Sequence, residues 1–391
     1  MTLALTTRAV RAGIDADTAY GAVAPPLVLS ANFSFEGLEG KRRYDYSRSG
    51  NPTRDRLGEA LASLEGGSGA VITSSGMAAI ALTLHALLES ADHVLVPHDC
   101  YGGSWRLFNA LAAKGAFELD TCDQTDPLAL AEALEQRPAL VWIETPSNPL
   151  LRITDLDAVI RAAKDVGALT AVDNTFLSPA LQRPIEFGAD IVVHSTTKYV
   201  NGHSDVVGGA VIARDAPIHE RLDWWANALG MTGSPFDSYL TLRGLRTLGP
   251  RIHAQQANCA ALAELLAGHP AVERVHYPGL RAHPGHDIAA RQQDGFGAML
   301  SFDLNGGEEA VRAFVDGLEC FTLAESLGGV ESLVAHPASM THAAMSADAR
   351  ERAGIGPGLL RLSVGLEDCA DLAADIAAAL KRAERVKEPC L

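Results

Sequence analysis

Basic residues are scarce in the sequence, which has 32 lysines and arginines against 48 aspartates and glutamates and a formal net charge of -16. A nucleic-acid-binding protein of this size usually carries a basic face, so the acidic balance argues against a phosphate-backbone partner. No segment stays apolar over the roughly 18 residues of a spanning helix, and the first residues, MTLALTTRAVRAG, lack the apolar centre of a signal peptide. The sequence therefore predicts a cytoplasmic protein with neither nucleic-acid nor membrane partners.

The motifs of several common sites are also missing. The six cysteines are scattered without C-x-x-C spacing, which fits reduced thiols better than disulfides or a zinc site. No H-E-x-x-H occurs, and the consecutive residues His98, Asp99 and Cys100 cannot easily converge on one ion, so we expect no metal site. No G-x-x-x-x-G-K-[ST] exists and no G-x-G-x-x-G opens the first strand-helix unit, which argues against nucleotide and dinucleotide cofactors.

What the sequence does contain is a long alternation of strand-like and helix-like segments. With 391 residues, 47% of them hydrophobic, the chain is long enough for two domains that share an interface. The alternation runs from about residue 60 to residue 215 and is typical of an α/β domain with a mostly parallel sheet. The strand-like runs are AVIT at 70, HVLVP at 93, ALVWIE at 139, ALTAVD at 168, DIVVH at 190 and GAVIA at 209. Residues 77–88, MAAIALTLHALL, are apolar nearly all round and should form a helix buried against that sheet.

The two ends of the chain differ from this middle part. After residue 250, AMLSFDL and LLRLSVG alternate with period two between helix-like stretches, which predicts a smaller α+β domain with a half-exposed antiparallel sheet. The first 60 residues are rich in Gly, Pro, Asn and Ser and show little periodicity, so we expect an arm that contacts a neighbouring subunit. The predicted division is an arm (1–60), a large α/β domain (61–250) and a C-terminal α+β domain (251–391).

Two polar side chains follow strand-like runs at the point where α/β proteins bind ligands. Lys198 comes just after the run that ends at His194, and Asp173 ends the run ALTAVD, so both should project at the carboxyl edge of the sheet. Pyridoxal phosphate needs an amine for its aldehyde and an acid that keeps its pyridine nitrogen protonated. Taken singly, Lys198 could be a surface lysine and Asp173 a helix N-cap.

A phosphate group would also need a place to bind. Ser75 and Gly76 precede the predicted buried helix, so backbone N–H groups and the positive end of the helix dipole would face an anion there. Ser195 and Thr197, which flank the lysine, could add hydroxyl contacts. The alternative is a simple capping turn before a core helix.

Two further residues have side chains suited to a planar cofactor and an amino-acid substrate. Tyr101 follows the run HVLVP, where its ring could stack on the cofactor, although a core or interface tyrosine would look the same. Arg361 faces away from Leu360, Leu362 and Val364 and could grip a carboxylate with two parallel hydrogen bonds. A surface salt bridge is the alternative for that arginine.

Together these segments resemble the cystathionine γ-synthase and γ-lyase group of pyridoxal-phosphate enzymes, from about residue 8 to residue 380. The motifs that carry the resemblance match in order: YDYSRSGNPTR, TSSGMAA, HDCYGGSWRLF, ETPSNPL, AVDNTFLSP, HSTTKYVNGHSD, FTLAESLGGVES and MTHA. The resemblance implies pyridoxal 5'-phosphate as cofactor and a fold of the aspartate-aminotransferase type (fold type I), with a mostly parallel central sheet. It also implies a homotetramer built from two catalytic dimers.

The resemblance implies roles for individual residues. Lys198 should be the Schiff-base lysine, Asp173 should pair with the pyridine nitrogen, and Tyr101 should stack on the ring and aid proton transfer. The phosphate should be held by Ser75, Gly76, Met77, Ser195 and Thr197, with Tyr46 and Arg48 arriving from an adjacent subunit. The substrate α-carboxylate should be held by Asn148, Ser326 and Arg361.

The finer choice of reaction depends on a few positions. Asp45, in the segment NFSF to YDYSR, resembles the γ-synthases, and Glu325 resembles synthases and γ-lyases rather than β-lyases. Ser49 departs from those synthases that have a second arginine there for a succinyl ester, which leaves Arg106 as the alternative contact for the distal carboxylate. The resemblance implies γ-replacement of O-succinyl- or O-acetyl-L-homoserine with L-cysteine to give L-cystathionine, in methionine biosynthesis by trans-sulfuration. The alternative is a cystathionine γ-lyase.

Overall fold

The computed structural model describes residues 3–343 and 345–386. Its helices are α1 (Leu5–Arg11), α2 (Pro52–Glu65), α3 (Gly76–Leu87), α4 (Gly102–Ala113), α5 (Pro127–Leu134), α6 (Leu156–Asp165), α7 (Ser178–Leu181), α8 (Ala216–Leu229), α9 (Pro235–Leu245), α10 (Leu248–Ala267), α11 (His286–Gln292), α12 (Gly307–Val315), α13 (Ala347–Ala353) and α14 (Cys369–Arg385), with a 3-10 turn at Pro184–Phe187. Its strands are β1 (Gly69–Thr73), β2 (His93–Pro97), β3 (Glu118–Cys122), β4 (Leu140–Glu144), β5 (Leu169–Asp173), β6 (Ile191–Ser195), β7 (Gly209–Ala213), β8 (Val272–His276), β9 (Met299–Leu304), β10 (Thr322–Leu323), β11 (Leu333–Ala335) and β12 (Leu359–Ser363).

The larger sheet has seven strands in the order β1-β7-β6-β5-β4-β2-β3. Strand β7 pairs antiparallel with both of its neighbours, and the other pairs are parallel. All six predicted strands form, so the prediction of an α/β domain with a mostly parallel sheet is confirmed. The sequence did not predict β3, because its residues, ELDTC, mix charged and apolar side chains and lie on the partly exposed edge of the sheet.

Helix α3 is buried against the larger sheet, as its apolar sequence predicted. It packs against β6, β7 and α8, and side chains all round its axis are buried, including Ile80, Leu82 and Leu84. Its N-cap is Ser75, whose side-chain oxygen accepts a hydrogen bond from the backbone N–H of Ala78 at 3.0 Å. The helix therefore begins at the carboxyl end of β1 with its N-terminus facing the edge where the parallel strands end.

Carboxyl groups end two of the central strands at this same edge. Glu144 is the last residue of β4 and Asp173 is the last residue of β5, and the two are direct lateral partners. Strand β6 lies next to β5 and ends at Ser195, three residues before Lys198. Parallel neighbouring strands thus bring the predicted amine and the predicted acid to one side of the sheet.

The smaller sheet has five strands in the order β10-β11-β12-β9-β8, and all pairs except β10 with β11 are antiparallel. The expectation of a half-exposed sheet is wrong for β12, every residue of which is buried. One reason is that the loop after β4 covers it: Arg361 of β12 and its partner Ser301 of β9 donate hydrogen bonds to Asn148 and Pro149. The outer strand β8 is partly exposed.

The predicted division of the chain stays a prediction, although two features bear on where its boundaries lie. Position 250 falls inside α10, and the first 60 residues include α1, which packs against α2 and α10. Over the described residues, every helix is too short or too polar to cross a lipid bilayer. The five cysteines in the described part of the chain are free thiols, and Cys390 lies outside it.

Candidate active site

Lys198 lies in the turn after β6 with its amine directed toward the smaller sheet. Its Nζ donates a hydrogen bond to Ser326 Oγ at 2.8 Å. Burial and, to a smaller extent, the nearby Arg361 guanidinium lower the pKa of this amine to about 8, while Glu325 opposes the change. An amine with this pKa exchanges protons near neutral pH, which an ordinary surface lysine does not.

Asp173 is held in place by the residue two positions later. The backbone N–H of Thr175 donates to Asp173 Oδ1 at 3.0 Å, and the Thr175 hydroxyl oxygen accepts from Ser195 N at 2.9 Å. Burial raises the pKa of the Asp173 carboxyl, and the hydrogen bonds from Thr175 and the nearby His194 oppose that rise. The alternative role as an N-cap of the next helix is wrong, because α7 begins at Ser178 and its N-cap is Leu177.

Gly76 lets the N-terminus of α3 approach the strand that leads to Lys198. A Cβ atom built on Gly76 would lie 2.7 Å from Ser195 Cβ, which is closer than real side chains come. The N–H groups of the first helical turn have no partner within the helix, so those of Gly76 and Met77 remain available. This positive helix end beside Ser195 suits a phosphate group, and it also uses Ser75 as a cap, so the two interpretations of TSSGMAA are compatible.

Thr197 completes the hydroxyl groups at this position. Its Oγ1 accepts a hydrogen bond from Gly208 N at 3.0 Å, and it also lies 3.3 Å from the Gly208 carbonyl oxygen. These contacts join the turn before Lys198 to the start of β7. Residues 195–198 therefore form a tight turn beside the N-terminus of α3.

Tyr101 is the N-cap residue of α4, and its ring lies against the first turn of that helix. A Cβ atom on Gly103 would lie 2.5 Å from Tyr101 Cε1 and 3.0 Å from Met77 Sδ, so this glycine makes room for both side chains. Tyr101 is 39% exposed in the chain, so part of the residue remains accessible to a ligand. Burial raises the pKa of the phenol, Glu325 adds to the rise, and Arg106 and Arg361 oppose it.

Arg361 is buried, with 3% of its surface exposed, so the alternative of a surface salt bridge is wrong. Its Nη1 donates to Asn148 Oδ1 and its Nη2 donates to the Ser326 carbonyl oxygen, both at 2.9 Å. Within the described part of the chain, its Nε finds no acceptor. Burial lowers the pKa of the guanidinium to about 10, so it stays charged at neutral pH. A buried cation with an unused donor suits the carboxylate of a substrate.

Ser326 connects the amine to the guanidinium. Its hydroxyl accepts from Lys198 and its carbonyl accepts from Arg361. Its backbone φ is 87°, in the left-handed region that a serine seldom adopts and that concentrates at functional sites. The next residue but one, Gly328, packs against the backbone of Lys198 and Tyr199, where a Cβ would lie 2.7 Å from Tyr199 N. The loop 325–329 is therefore pressed onto the lysine turn.

Tyr46 and Arg48 lie elsewhere on the chain. Arg48 Nη1 donates to the backbone oxygen and to Oδ1 of Asn227 in α8, at 2.7 Å each, and its guanidinium lies 5.7 Å from the centre of the Tyr46 ring. Among the described residues, no hydrogen bond or ion pair joins Tyr46 or Arg48 to Lys198, Asp173 or Arg361. The expectation that they serve an adjacent subunit stays a prediction.

The residues expected to choose the substrate are more exposed. Asp45 pairs with Lys41 Nζ and accepts from Ser49 Oγ, both at 2.9 Å, and the hydrogen bond from Lys41 lowers the pKa of its carboxyl to about 2. Arg106 and Glu325 are exposed, and both act electrostatically on the Tyr101 phenol. The structure thus brings Arg106 and Glu325 near Tyr101, whereas Asp45 stays with its own segment.

Sequence reasoning missed two residues that hold this site together. Glu144 accepts a hydrogen bond from Tyr101 N at 2.9 Å, and Thr175 holds Asp173. A signal for Glu144 was present, since it ends the run ALVWIE as Asp173 ends ALTAVD. No comparable signal marks Thr175, because a threonine two residues beyond a strand is common in any turn.

Comparisons with known proteins show which family the chain belongs to. The model of the Cys/Met metabolism PLP-dependent enzyme family matches residues 6–381. Cystathionine γ-synthase from Xanthomonas oryzae pv. oryzae, solved in complex with cystathionine and also with aminoacrylate and cysteine, is 70% identical at a TM-score of 0.98, covering 98% of this chain and 100% of that one. Cystathionine γ-synthase of Escherichia coli (strain K12) is 54% identical, covering 96% of this chain and 97% of its own length. A cystathionine γ-lyase from Micromonospora echinospora is 43% identical at a TM-score of 0.93, covering 97% of this chain and 100% of that one.

These matches confirm the family and the aspartate-aminotransferase-like fold that the motifs predicted. The carboxyl-edge site, the ordered motifs and the full-length similarity together establish that the chain belongs to the Cys/Met metabolism PLP-dependent enzyme family.

Proposed function

We propose that the chain catalyses γ-replacement, in which L-cysteine displaces the acyl group of an O-acyl-L-homoserine to give L-cystathionine. The acyl ester is O-succinyl-L-homoserine or O-acetyl-L-homoserine, and the reaction belongs to methionine biosynthesis by trans-sulfuration. The observation that carries the proposal is the partly buried set of Lys198, Ser326 and Arg361, in which a base and a carboxylate-binding cation share one serine. Strong similarity to two enzymes named cystathionine γ-synthase supports the choice of reaction.

The residues present fit pyridoxal 5'-phosphate. The N-terminus of α3 with Gly76 against Ser195 suits its phosphate, Asp173 suits its pyridine nitrogen, and Lys198 suits its aldehyde. When bound, this cofactor accepts electrons from the substrate carbon next to the amino group and so makes that carbon acidic. The proposed phosphate contacts are those of Ser75, Gly76, Met77, Ser195 and Thr197.

Lys198 Nζ is the proposed base. With a pKa of about 8, the amine is neutral in about one molecule in ten at pH 7, against fewer than one in a thousand for an ordinary lysine. The neutral amine takes the proton from the substrate Cα and can return protons to neighbouring carbons as the reaction proceeds. Ser326 Oγ, at 2.8 Å, holds the amine in position between these transfers.

Arg361 is the proposed anchor for the substrate α-carboxylate. Asn148 and the Ser326 carbonyl group fix two of its nitrogens, so the guanidinium enters the reaction already oriented. An anchored carboxylate places the Cα proton near the lysine that also bonds Ser326. Preorganised geometry of this kind can account for much of the rate of an enzyme.

Tyr101, Arg106 and Glu325 surround the distal part of the substrate in this proposal. The bond from Cγ to the ester oxygen breaks, the acyl group leaves as a carboxylate, and a bond forms between Cγ and the sulfur of cysteine. Tyr101 stacks on the ring and is the proposed aid for the proton of the incoming thiol. Arg106 is the proposed contact for the free carboxylate of a succinyl ester, with Asp45 nearby from the same or a neighbouring subunit.

Cystathionine γ-lyase activity is the second candidate, and Ser49 is the observation that favours it. Ser49 donates to Asp45 rather than offering a cation to a distal carboxylate. The lyase would use the same lysine and arginine but would convert cystathionine and water into cysteine, α-ketobutyrate and ammonia. The greater similarity to the named synthases favours γ-replacement.

A product assay distinguishes these reactions. The purified enzyme is incubated with the succinyl or the acetyl ester, with and without cysteine, and cystathionine, α-ketobutyrate and the released acid are quantified. We expect cystathionine and acid in equal amounts when cysteine is present. The proposal fails if added cystathionine is consumed faster than it forms, and a Lys198→Ala variant serves as the inactive control.

We further propose that the enzyme is a cytoplasmic homotetramer made of two catalytic dimers. Several large apolar side chains of the arm, among them Tyr20, Val23, Leu29 and Leu38, are exposed in the single chain. Exposed apolar groups concentrated in one segment are typical of a surface that a partner covers. Free cysteines support a reducing compartment.

A further inference from the structure

Glu144 has a position and a set of contacts that no other carboxylate of the site has. It is 5% exposed, it ends β4, and its lateral neighbour across the sheet is Asp173. Its Oε2 accepts the backbone N–H of Tyr101 at 2.9 Å, and the backbone N–H of Asn148 also faces its carboxyl group. The two backbone groups belong to the residue proposed to stack on the cofactor and to a residue proposed to orient the substrate carboxylate.

The start of α4 depends on this contact. Tyr101 is the N-cap residue of α4 and makes no capping hydrogen bond with its own side chain. Glu144 therefore fixes the backbone from which the Tyr101 ring projects, while Gly103 leaves room for the ring itself. Asn148 lies four residues beyond Glu144 with its backbone N–H facing the same carboxyl group, and its side-chain oxygen accepts from Arg361, so Glu144 lies between the two sides of the site.

We propose that Glu144 is a positioning residue for the reaction, holding the Tyr101 ring and the Asn148 amide at a fixed separation beside Asp173. This inference rests on the proposed cofactor and site residues. If the side chain at position 144 served only to fill the core, an apolar residue would make the folded protein more stable, because a buried carboxyl group next to a second carboxyl group is electrostatically unfavourable. Burial and the Asp173 charge do raise the pKa of Glu144, in line with that cost.

The proposed role depends on the length of the Glu144 side chain, which places an acceptor oxygen at Tyr101 N, and not on its charge. Glu144→Gln keeps an oxygen that can accept from Tyr101 N, whereas Glu144→Asp keeps the charge and withdraws the acceptor by one methylene group. We therefore expect Glu144→Gln to retain more activity than Glu144→Asp. A role that depends on negative charge ranks them in the opposite order.

A matched control lies at the other edge of the same sheet. Asp190 precedes β6, is 3% exposed, and accepts hydrogen bonds from Thr170 N and Oγ1 at 2.9 Å. Asp190→Ala thus removes a buried carboxylate that bonds backbone far from Lys198. We expect it to lower thermal stability without changing the cofactor or the kinetics.

The experiment compares these variants as holoenzymes by two measurements. The visible circular dichroism of bound pyridoxal phosphate, recorded without substrate, reports the orientation of the ring, and steady-state kinetics with the acyl ester and cysteine report kcat/KM. We expect Glu144→Ala and Glu144→Asp to reduce the dichroic band and to lower kcat/KM by about ten- to a hundredfold, the range that small misplacements of reacting groups produce. Glu144→Gln should recover most of the dichroic band and most of kcat/KM. Adding Glu144→Ala to Tyr101→Ala should lower kcat/KM by less than about threefold more, because the effects of substitutions at contacting residues are not additive.

The inference is overturned if Glu144→Asp keeps a higher kcat/KM than Glu144→Gln, or if Glu144→Ala leaves the dichroic band and kcat/KM unchanged as Asp190→Ala should. It is also overturned if Glu144→Ala lowers kcat/KM by the same factor with and without the Tyr101 ring. Should Glu144→Ala fail to fold, the ranking of Gln and Asp decides the question. The dichroic band does not depend on the identity of the substrate. Its loss in Glu144→Asp therefore supports the inference even if the product assay refutes γ-replacement.

Discussion

The lowered pKa of Lys198 predicts that this lysine destabilises the protein when the cofactor is removed. Its pKa falls from an ordinary value of 10.5 to about 8, chiefly because burial disfavours the charged amine. At about 1.4 kcal/mol for each tenfold change in proton affinity, the buried charge costs about 3 kcal/mol at pH 7. Lys198→Met keeps an unbranched side chain and removes the charge, at the expense of about 1 kcal/mol for the hydrogen bond to Ser326. The apoprotein of the variant should therefore be more stable by about 2 kcal/mol at pH 7.

The sign of the pH dependence provides a sharper test than the magnitude. Between pH 8 and 10.5 the unfolded wild type binds more protons at this lysine than the folded one, so wild-type stability rises with pH over this window. The advantage of Lys198→Met should shrink by about 2 kcal/mol between pH 7 and 9.5. Urea denaturation of both apoproteins at several pH values measures it, with the exposed Lys381→Met as control. A stability difference that is independent of pH, or that grows as pH rises, would mean that burial does not lower the pKa of Lys198.

Two further predictions follow from the proposed site. Arg361→Lys should raise KM for the acyl ester about ten- to a hundredfold with a smaller change in kcat, measured by steady-state kinetics. The reason is that the single ammonium group of lysine cannot replace a planar guanidinium already oriented by Asn148 and Ser326. An unchanged KM would contradict this prediction. If Arg48 serves the site of a neighbouring subunit, mixing the separately inactive Arg48→Ala and Lys198→Ala variants under conditions of subunit exchange should restore activity. If the mixture stays inactive although mass spectrometry detects hybrid oligomers, each site is built from one chain.

Much of the larger sheet and the central pair of the site could be predicted from sequence, because one physical rule governs both. Buried parallel strands are continuous apolar runs, and a polar residue that ends such a run must project at the ligand-binding edge. The rule gave Lys198 and Asp173 their positions. Applied to ALVWIE it would also have found Glu144, whose role depends on the same edge.

Features that depend on distant parts of the chain could not be predicted. The period-two pattern of β12 predicted that Arg361 lies on the opposite side of the strand from its apolar neighbours. It did not predict that residues 148 and 149 cover that side and bury the guanidinium. The positive φ of Ser326 has no sequence signal either, since no glycine or asparagine marks it. Strand β3 was missed because an edge strand tolerates the polar residues that a central strand excludes.

We propose that the amine of Lys198 and the carboxyl group of Asp173 hold opposite ends of one flat ring, and a crystal structure with pyridoxal phosphate bound would show whether they do. We expect density that joins Lys198 Nζ to the aldehyde carbon, with an Asp173 oxygen within about 3 Å of the pyridine nitrogen. A cofactor attached to another lysine, or a pyridine nitrogen facing away from Asp173, would contradict it.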